Sequence, residues 1–276
     1  MIDFNSPHLF QYEDESVLHK RLQYVYSWDP WQQKNNPSHH FNKITEFAHS
    51  REEEFFNDKK WHDKQVYHGW KNSDGSPARK IEYHYDKWGF RNHVIKKNPD
   101  IVILGCSQSF GIGMDHERIF PHIVSTTTGL TYRNLSIPGG SLESSYRVLK
   151  TWIPTLLPKL VLLAYPASLP RREFISPRST IDEASPRWKQ YENLWSGEEI
   201  YIANVRAVDG IKYLCHQYNS KLITMNLTFE GLIPYNEKHN VVEITNPQMD
   251  LNGARDMQHA GAIEHKIYSH DILSQI

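Results

Sequence analysis

Cysteine is scarce in this chain. Cys106 and Cys215 are the only two in 276 residues. They stand far apart and in no metal-ligand spacing, which argues against a disulfide framework and for a reducing compartment. An excess of one charge is also missing. Lys and Arg number 31 against 32 Asp and Glu, a formal net charge of -1. A general nucleic-acid binder would carry a basic excess or stripe, so no nucleic-acid partner is expected. No segment approaches the roughly 18 consecutive apolar residues of a membrane span, so no membrane partner is expected either. The N-terminus, Met1-Ile-Asp-Phe-Asn-Ser-Pro7, lacks the basic and apolar regions of a secretory signal. The expected location is therefore cytoplasmic.

What is present is the composition of a globular protein, 39% hydrophobic and 23% charged, long enough to bury a sizeable core. The 16 histidines and 8 tryptophans are scattered and read as surface and packing residues. Residues 1–80 are polar and aromatic-rich. Val17, Leu18, Leu22 and Val25 recur at helical spacing, as do Ile44, Phe47, Phe55 and Phe56 in the stretch Asn42 to Phe56. The expectation is a mostly helical N-terminal extension, with the turn cluster Asn72-Ser-Asp-Gly-Ser-Pro77 as its boundary. The adjacent pair His39-His40 would point apart on a helix and reads as solvated.

From residue 81 onward the pattern changes. Ile81 to Asp86 alternates like a strand and leads into a turn at Gly89. His84 and Asp86 have the spacing of an iron-ligating pair, but nothing marks a third ligand, and a two-sided strand is preferred. Apolar runs at 101–105, 160–164 and 221–225, and shorter ones at 132–135 and 241–244, read as buried strands. Helical stretches lie between and after them: one ending near Thr128, Leu142 to Leu157 bent or ended by Pro154, Glu198 to Tyr218, and Ala260 to Ile276. Alternating strands and helices predict an α/β fold with a parallel sheet covered on both faces. The Pro-, Arg- and Trp-rich segment 165–197 reads as a functional insertion.

The chemistry concentrates at the end of the first apolar run. Gly105 allows a sharp turn, and Ser107 follows where open α/β sheets keep their ligands. Asp256 and His259 are three residues apart and would share one face of a helical turn. The carboxylate can then orient the imidazole, which takes a proton from the serine hydroxyl. The Gly-x-Ser-x-Gly elbow of α/β-hydrolases is not met, because Ser109 holds its last position. A phosphate-binding loop is excluded by the lack of Gly-Lys-Ser/Thr after Gly105.

These pieces together resemble the SGNH/GDSL hydrolase family over roughly residues 81–276. Gly105-Cys-Ser-Gln-Ser-Phe-Gly111 resembles its first block, with Ser107 as nucleophile. Asn134-Leu-Ser-Ile-Pro-Gly139 resembles the second, whose glycine supplies an oxyanion amide. Asp256-Met-Gln-His259 resembles the last, with acid and base. Trp88-Gly-Phe-Arg91 is similar to a segment often found just upstream of the first block. The resemblance implies a three-layer α/β/α sandwich with a flavodoxin-like sheet, and acyl-ester hydrolysis with no metal and no cofactor. It also implies oxyanion amides at Ser107 and Gly139.

This chain departs from the pattern twice. Cys106 replaces the aspartate before the serine and reads as a packing residue, since neighbours in a tight turn point different ways. The asparagine expected after the central strand is missing. Ser168 falls near its place, and losing one oxyanion donor costs about 10²–10³ in rate. Arg171 and Arg172, in the insertion, would shape the substrate side of the cleft. The block pattern is similar to proteins of tailed bacterial viruses, which makes a virion-associated protein acting on an ester or an acylated glycan a second expectation. A non-catalytic binding or structural module and an acyltransferase with the same triad are the alternatives.

Overall fold

A computed structural model describes residues 43–46, 71–74, 76–77, 80–86, 88–166, 197–226, 241–243, 254 and 259–276. The expected helix at 13–26, the pair His39-His40, residues 167–196 of the expected insertion, and Asp256 lie outside them.

The strands are β1 (Lys43–Glu46), β2 (Glu82–Tyr85), β3 (Ile101–Leu104), β4 (Tyr132–Asn134), β5 (Leu160–Tyr165), β6 (Lys221–Asn226) and β7 (Val241–Glu243). The helices are α1 (Ser107–Phe110), α2 (Phe120–Thr128), α3 (Leu142–Leu156), α4 (Gly197–Gln217) and α5 (Ala262–Leu273), with a 3₁₀ turn at His116–Arg118. Strands β3 to β7 form one sheet in the order β4-β3-β5-β6-β7, and every neighbouring pair is parallel. Counted along the chain, that is the flavodoxin-like order 2-1-3-4-5. After β3 the chain builds outward to β4, then crosses back to place β5 on the other side of β3. The two directions of growth part at the carboxyl ends of β3 and β5, where this architecture opens its ligand crevice.

Both faces of the sheet are buried, which explains the continuous apolar runs. The alternation is still visible in what each side chain touches. Val102, Leu104, Val161 and Leu163 join the core under α3 and α4. Ile101, Ile103, Leu160 and Leu162 join the core under α2 and α5. Burying each such side chain contributes about 1.5–3 kcal/mol, so the central strands anchor the domain. Pro154 stands inside the last turn of α3, and the helix closes at Leu157 in the left-handed region (φ 46°).

Residues 43–46 differ from expectation, while 42 and 47–56 of the same expected helix lie outside the described residues. Lys43–Glu46 is a strand, paired antiparallel with β2 from Lys43↔Tyr85 to Glu46↔Glu82. Ile44 and Thr45 are β-branched and suit a strand edge, and the partner strand overrides a helical spacing built on scattered aromatics. The pairing spans the 72–77 cluster, which is itself a tight turn: Ser76 N donates to Asp74 Oδ1 at 2.9 Å and Asn72 N to Ser76 O at 2.8 Å.

Three histidines in this fold are held neutral. His265, on α5, is fully enclosed, and its Nδ1 accepts from the Phe120 amide at the start of α2 at 3.2 Å. Burial, helped by Arg91 and His259, pushes its pKa down to about 3. His93 and His116 stack face to face with centroids 3.7 Å apart. Burial, with His84 and Arg91 beside it, lowers His93 to about 4. Burial, with His93 and His122 beside it, lowers His116 to about 2. An unfolded histidine takes up a proton near about pH 6.5, well before these do. Their contribution is therefore whole above that pH and is lost progressively as pH falls toward the folded values. Urea midpoints are expected to drop steadily from pH 7 to pH 4.5. His265→Asn keeps an acceptor near the Nδ1 position but cannot titrate, so its midpoint should fall less steeply. Parallel slopes for the two proteins would remove His265 as a cause.

Candidate functional site

Ser107 opens α1 directly beyond β3, at the parting of the sheet. The chain must turn hard there. Gly105 has φ 150°, and a Cβ on it would lie 2.4 Å from Ser109 Oγ and 2.8 Å from Ala164 O of the neighbouring strand. No side chain fits. Cys106 is the N-cap of α1 and gives no side-chain cap. Its thiol is fully buried, as a packing residue's would be. Ser107 is 8% exposed. Its carbonyl takes the amides of Gly111 (3.0 Å) and Ile112 (3.2 Å), so the backbone of the turn does not depend on the hydroxyl.

Beneath this turn lies Arg91, the end of the Gly-Phe-Arg segment. Its Nη1 donates to Phe110 O at 3.1 Å and Gly111 O at 2.6 Å, and Nη2 donates to Met114 O at 2.8 Å. The guanidinium lies over the Tyr83 ring, 4.1 Å from its centroid. Burial pulls its pKa down from the usual guanidinium value, while the Tyr83, Tyr85, Tyr132 and Asp115 side chains work the other way. The carbonyls that end α1 are thus held by a buried cation, which suits the negative end of the helix dipole.

The loop after β4 is fastened to the same place. Ile137 N donates to Gly105 O at 2.9 Å, and Gly140 N to Ile137 O at 2.8 Å. Gly139 has φ 73°, which only glycine adopts at no steric cost. α3 begins immediately afterwards with a reciprocal cap: Ser144 N donates to Ser141 Oγ, and Ser141 N to Ser144 Oγ at 2.7 Å. Asn134 links the loop to α1. Its Nδ2 donates to Ser109 O at 2.9 Å, and its Oδ1 accepts from Ser136 N at 3.0 Å. Asn134 is positioned in turn by Asn92, whose Oδ1 takes the Asn134 amide at 2.8 Å.

Asp86 serves this framework. Its carboxylate accepts from the amides of Trp88 and Phe90, from Asn92 Nδ2 and from Arg133 Nη2 at 3.0 Å. The strand ends at Tyr85, so of the expected strand pair only His84 lies in β2, and Asp86 holds the turn that follows. Among the described residues no group of His, Cys, Asp and Glu is arranged to hold a metal ion.

His259 lies before α5, which begins at Ala262, and the helical turn expected to join it to Asp256 falls on residues outside those described. Ala254 N donates to His259 O at 2.9 Å. The adjoining residue, Ala260, donates its amide to Gln108 Oε1 at 2.8 Å. So the residue after Ser107 is bonded to the residue after His259. Ser107, Gly139 and His259 all stand on segments tied to the carboxyl end of β3. Asp256, Ser168, Arg171 and Arg172 lie outside the described residues.

Sequence reasoning missed Gln108 and gave Arg91 no role. A polar residue directly after a candidate nucleophile, and a lone arginine beside a Gly-Phe pair, were the available signals.

No family model matches the chain. No curated protein matches it. Solved structures do. The crystal structure of TesA is 11% identical over 63% of this chain and 96% of that one, with a TM-score of 0.41. The psychrotrophic esterase EstA from Pseudoalteromonas sp. is 15% identical over 63% of this chain and 94% of that one, with a TM-score of 0.41. An acetyl xylan esterase, Est2A, from the rumen bacterium Butyrivibrio proteoclasticus is 13% identical over 72% of this chain and 66% of that one, with a TM-score of 0.43. A GDSL-like lipase from Bacteroides thetaiotaomicron is also similar, at 14% identity over 80% of this chain and 76% of that one, with a TM-score of 0.30. The likeness is one of fold.

Proposed function

We propose that this chain is a serine-dependent ester hydrolase. The observation that carries the reading is the meeting of three segments at the carboxyl end of β3. Ser107 turns off that strand. The Gly139 loop is bonded to Gly105. The His259 segment is bonded to Gln108. In the reaction, the Ser107 hydroxyl attacks the ester carbonyl while His259 takes its proton. His259 then returns that proton to the leaving alcohol, and a water deprotonated by the same imidazole releases the acyl group. Asp256 orients His259. The amides of Ser107 and Gly139 hold the oxyanion, with the Ser168 hydroxyl in the place of the missing asparagine.

The substrate class we favour is an acylated carbohydrate, O-acetylated in particular. Arg171 and Arg172, with the tryptophans of 165–197, would supply the charged and stacking surfaces that a sugar needs. A location in the cytoplasm or in a virion suits this role.

The missing asparagine favours a second reading, in which the same fold is a binding or structural module without turnover. p-Nitrophenyl acetate separates the two. The hydrolase reading expects turnover that His259→Ala lowers by on the order of 10³-fold or more. Turnover that is unchanged in that variant removes His259 as the base.

A further inference from the structure

We infer that Gln108 is a positioning residue for the base: it sets where His259 stands relative to Ser107. This rests on the hydrolase reading above, and deepens it. Gln108 directly follows the nucleophile and is 6% exposed. Its side chain leaves its own short helix and crosses to a segment more than a hundred residues away in sequence, where Oε1 accepts from the Ala260 amide at 2.8 Å. Ala260 is itself buried, so without this acceptor its N–H would have to be satisfied some other way or carry a desolvation cost.

The bond is one of three that hold consecutive peptide groups around the histidine. The His259 carbonyl accepts from Ala254 N at 2.9 Å. The Ala260 amide donates to Gln108. The Gly261 amide donates to Glu264 Oε2 at 3.0 Å. The first and third stay within the segment and its own helix. Apolar packing of Ala254 and Ala262 with Phe110 and Met114 brings this part of the chain near the turn but fixes no hydrogen-bond register. Gln108 is the one of the three that reaches the nucleophile turn. That turn is held rigid by Arg91 and Gly105, so the glutamine transmits a fixed reference to the base. Proton transfer between Ser107 and His259 needs hydrogen-bond reach. A displacement of about 1 Å can cost on the order of 10²-fold in rate.

The test uses Gln108→Met and Gln108→Glu, assayed on p-nitrophenyl acetate beside wild type and Ser107→Ala. Methionine has nearly the same length and no comparable acceptor. Its kcat is expected to fall about 10–100-fold with KM within about twofold of wild type, because the base moves while the acyl site does not. Glutamate keeps an acceptor for the Ala260 amide and adds a negative charge beside the histidine segment. It should retain most of kcat at pH 9. The acid limb of its pH–rate profile should shift to higher pH, since a nearby carboxylate favours imidazolium. Wild-type kcat in Gln108→Met overturns the inference. Equal impairment of both variants at every pH overturns it too, because a packing role would be blind to the retained acceptor. If wild type itself turns over no faster than Ser107→Ala, the hydrolase reading fails and the inference with it. Active wild type with an unaffected Gln108→Met sinks the inference alone.

Discussion

Ser107→Ala is expected to lower ester turnover by on the order of 10⁴-fold or more while leaving the thermal midpoint within a few degrees of wild type. Both halves follow from how the turn is built. The variant keeps Cβ and loses only the hydroxyl, so no cavity opens. The bonds that close α1 run through the Ser107 carbonyl to Gly111 N and Ile112 N, and these survive. The chemistry does not survive, because among the described residues no other nucleophile takes the hydroxyl's place at that corner. Cys106 is fully buried, and the Ser109 hydroxyl is committed to Cys106 O at 3.0 Å. The rate left over is what amide donors and substrate binding supply alone, roughly 10³–10⁴ above water in enzymes of this mechanism. Initial rates on p-nitrophenyl acetate and a circular-dichroism melt of each protein check both halves. A variant that melts early would show that the hydroxyl carries structure.

Arg91→Met is expected to act on stability. It removes donors from three buried carbonyls, those of Phe110, Gly111 and Met114. Gly111 O keeps the Met114 amide at 3.2 Å, and a buried acceptor left without any donor costs about 1–3 kcal/mol. Part of that is offset, because the variant also abolishes the burial of a cation with no carboxylate hydrogen-bonded to it among the described residues. The expected net loss is about 2–4 kcal/mol, a fall of about 5–10 °C in Tm for a domain of this size. Arg91→Lys keeps the charge but presents a point donor where a planar fork spans three oxygens, so its loss should be intermediate. A methionine variant that melts with wild type would mean that the carbonyls find other donors and that Arg91 does not hold the turn.

The parallel sheet was legible because its strands are buried on both faces. Ile101–Leu104 and Leu160–Tyr165 leave almost no choice but a central strand. The helices after them announce themselves by spacing, and the Ser141–Ser144 cap that starts α3 became visible only in the structure. In the two-stranded sheet β1–β2, β2 was legible from its alternation and β1 was not. A short strand with Ile44 exposed has no periodic signature, and its pairing with Glu82–Tyr85 is a tertiary fact. The corner at Gly105 could be read from residue types, since only glycine fits there. The bonds around His259 could not: Ala254 N donates to its carbonyl, and Gln108 takes the amide of Ala260. Long-range side-chain-to-backbone bonds leave no local pattern. That is also why Arg91 and Asn134 showed as motif letters without roles, and Asn92 did not show at all.

Whether Ser107 is a nucleophile activated in place is decided by reacting the protein with a fluorophosphonate and locating the adduct by peptide mass spectrometry. One phosphonyl group is expected, on Ser107, formed slowly or not at all in His259→Ala and absent from Ser107→Ala. An adduct on any other residue, or none on the folded wild-type protein, would contradict it.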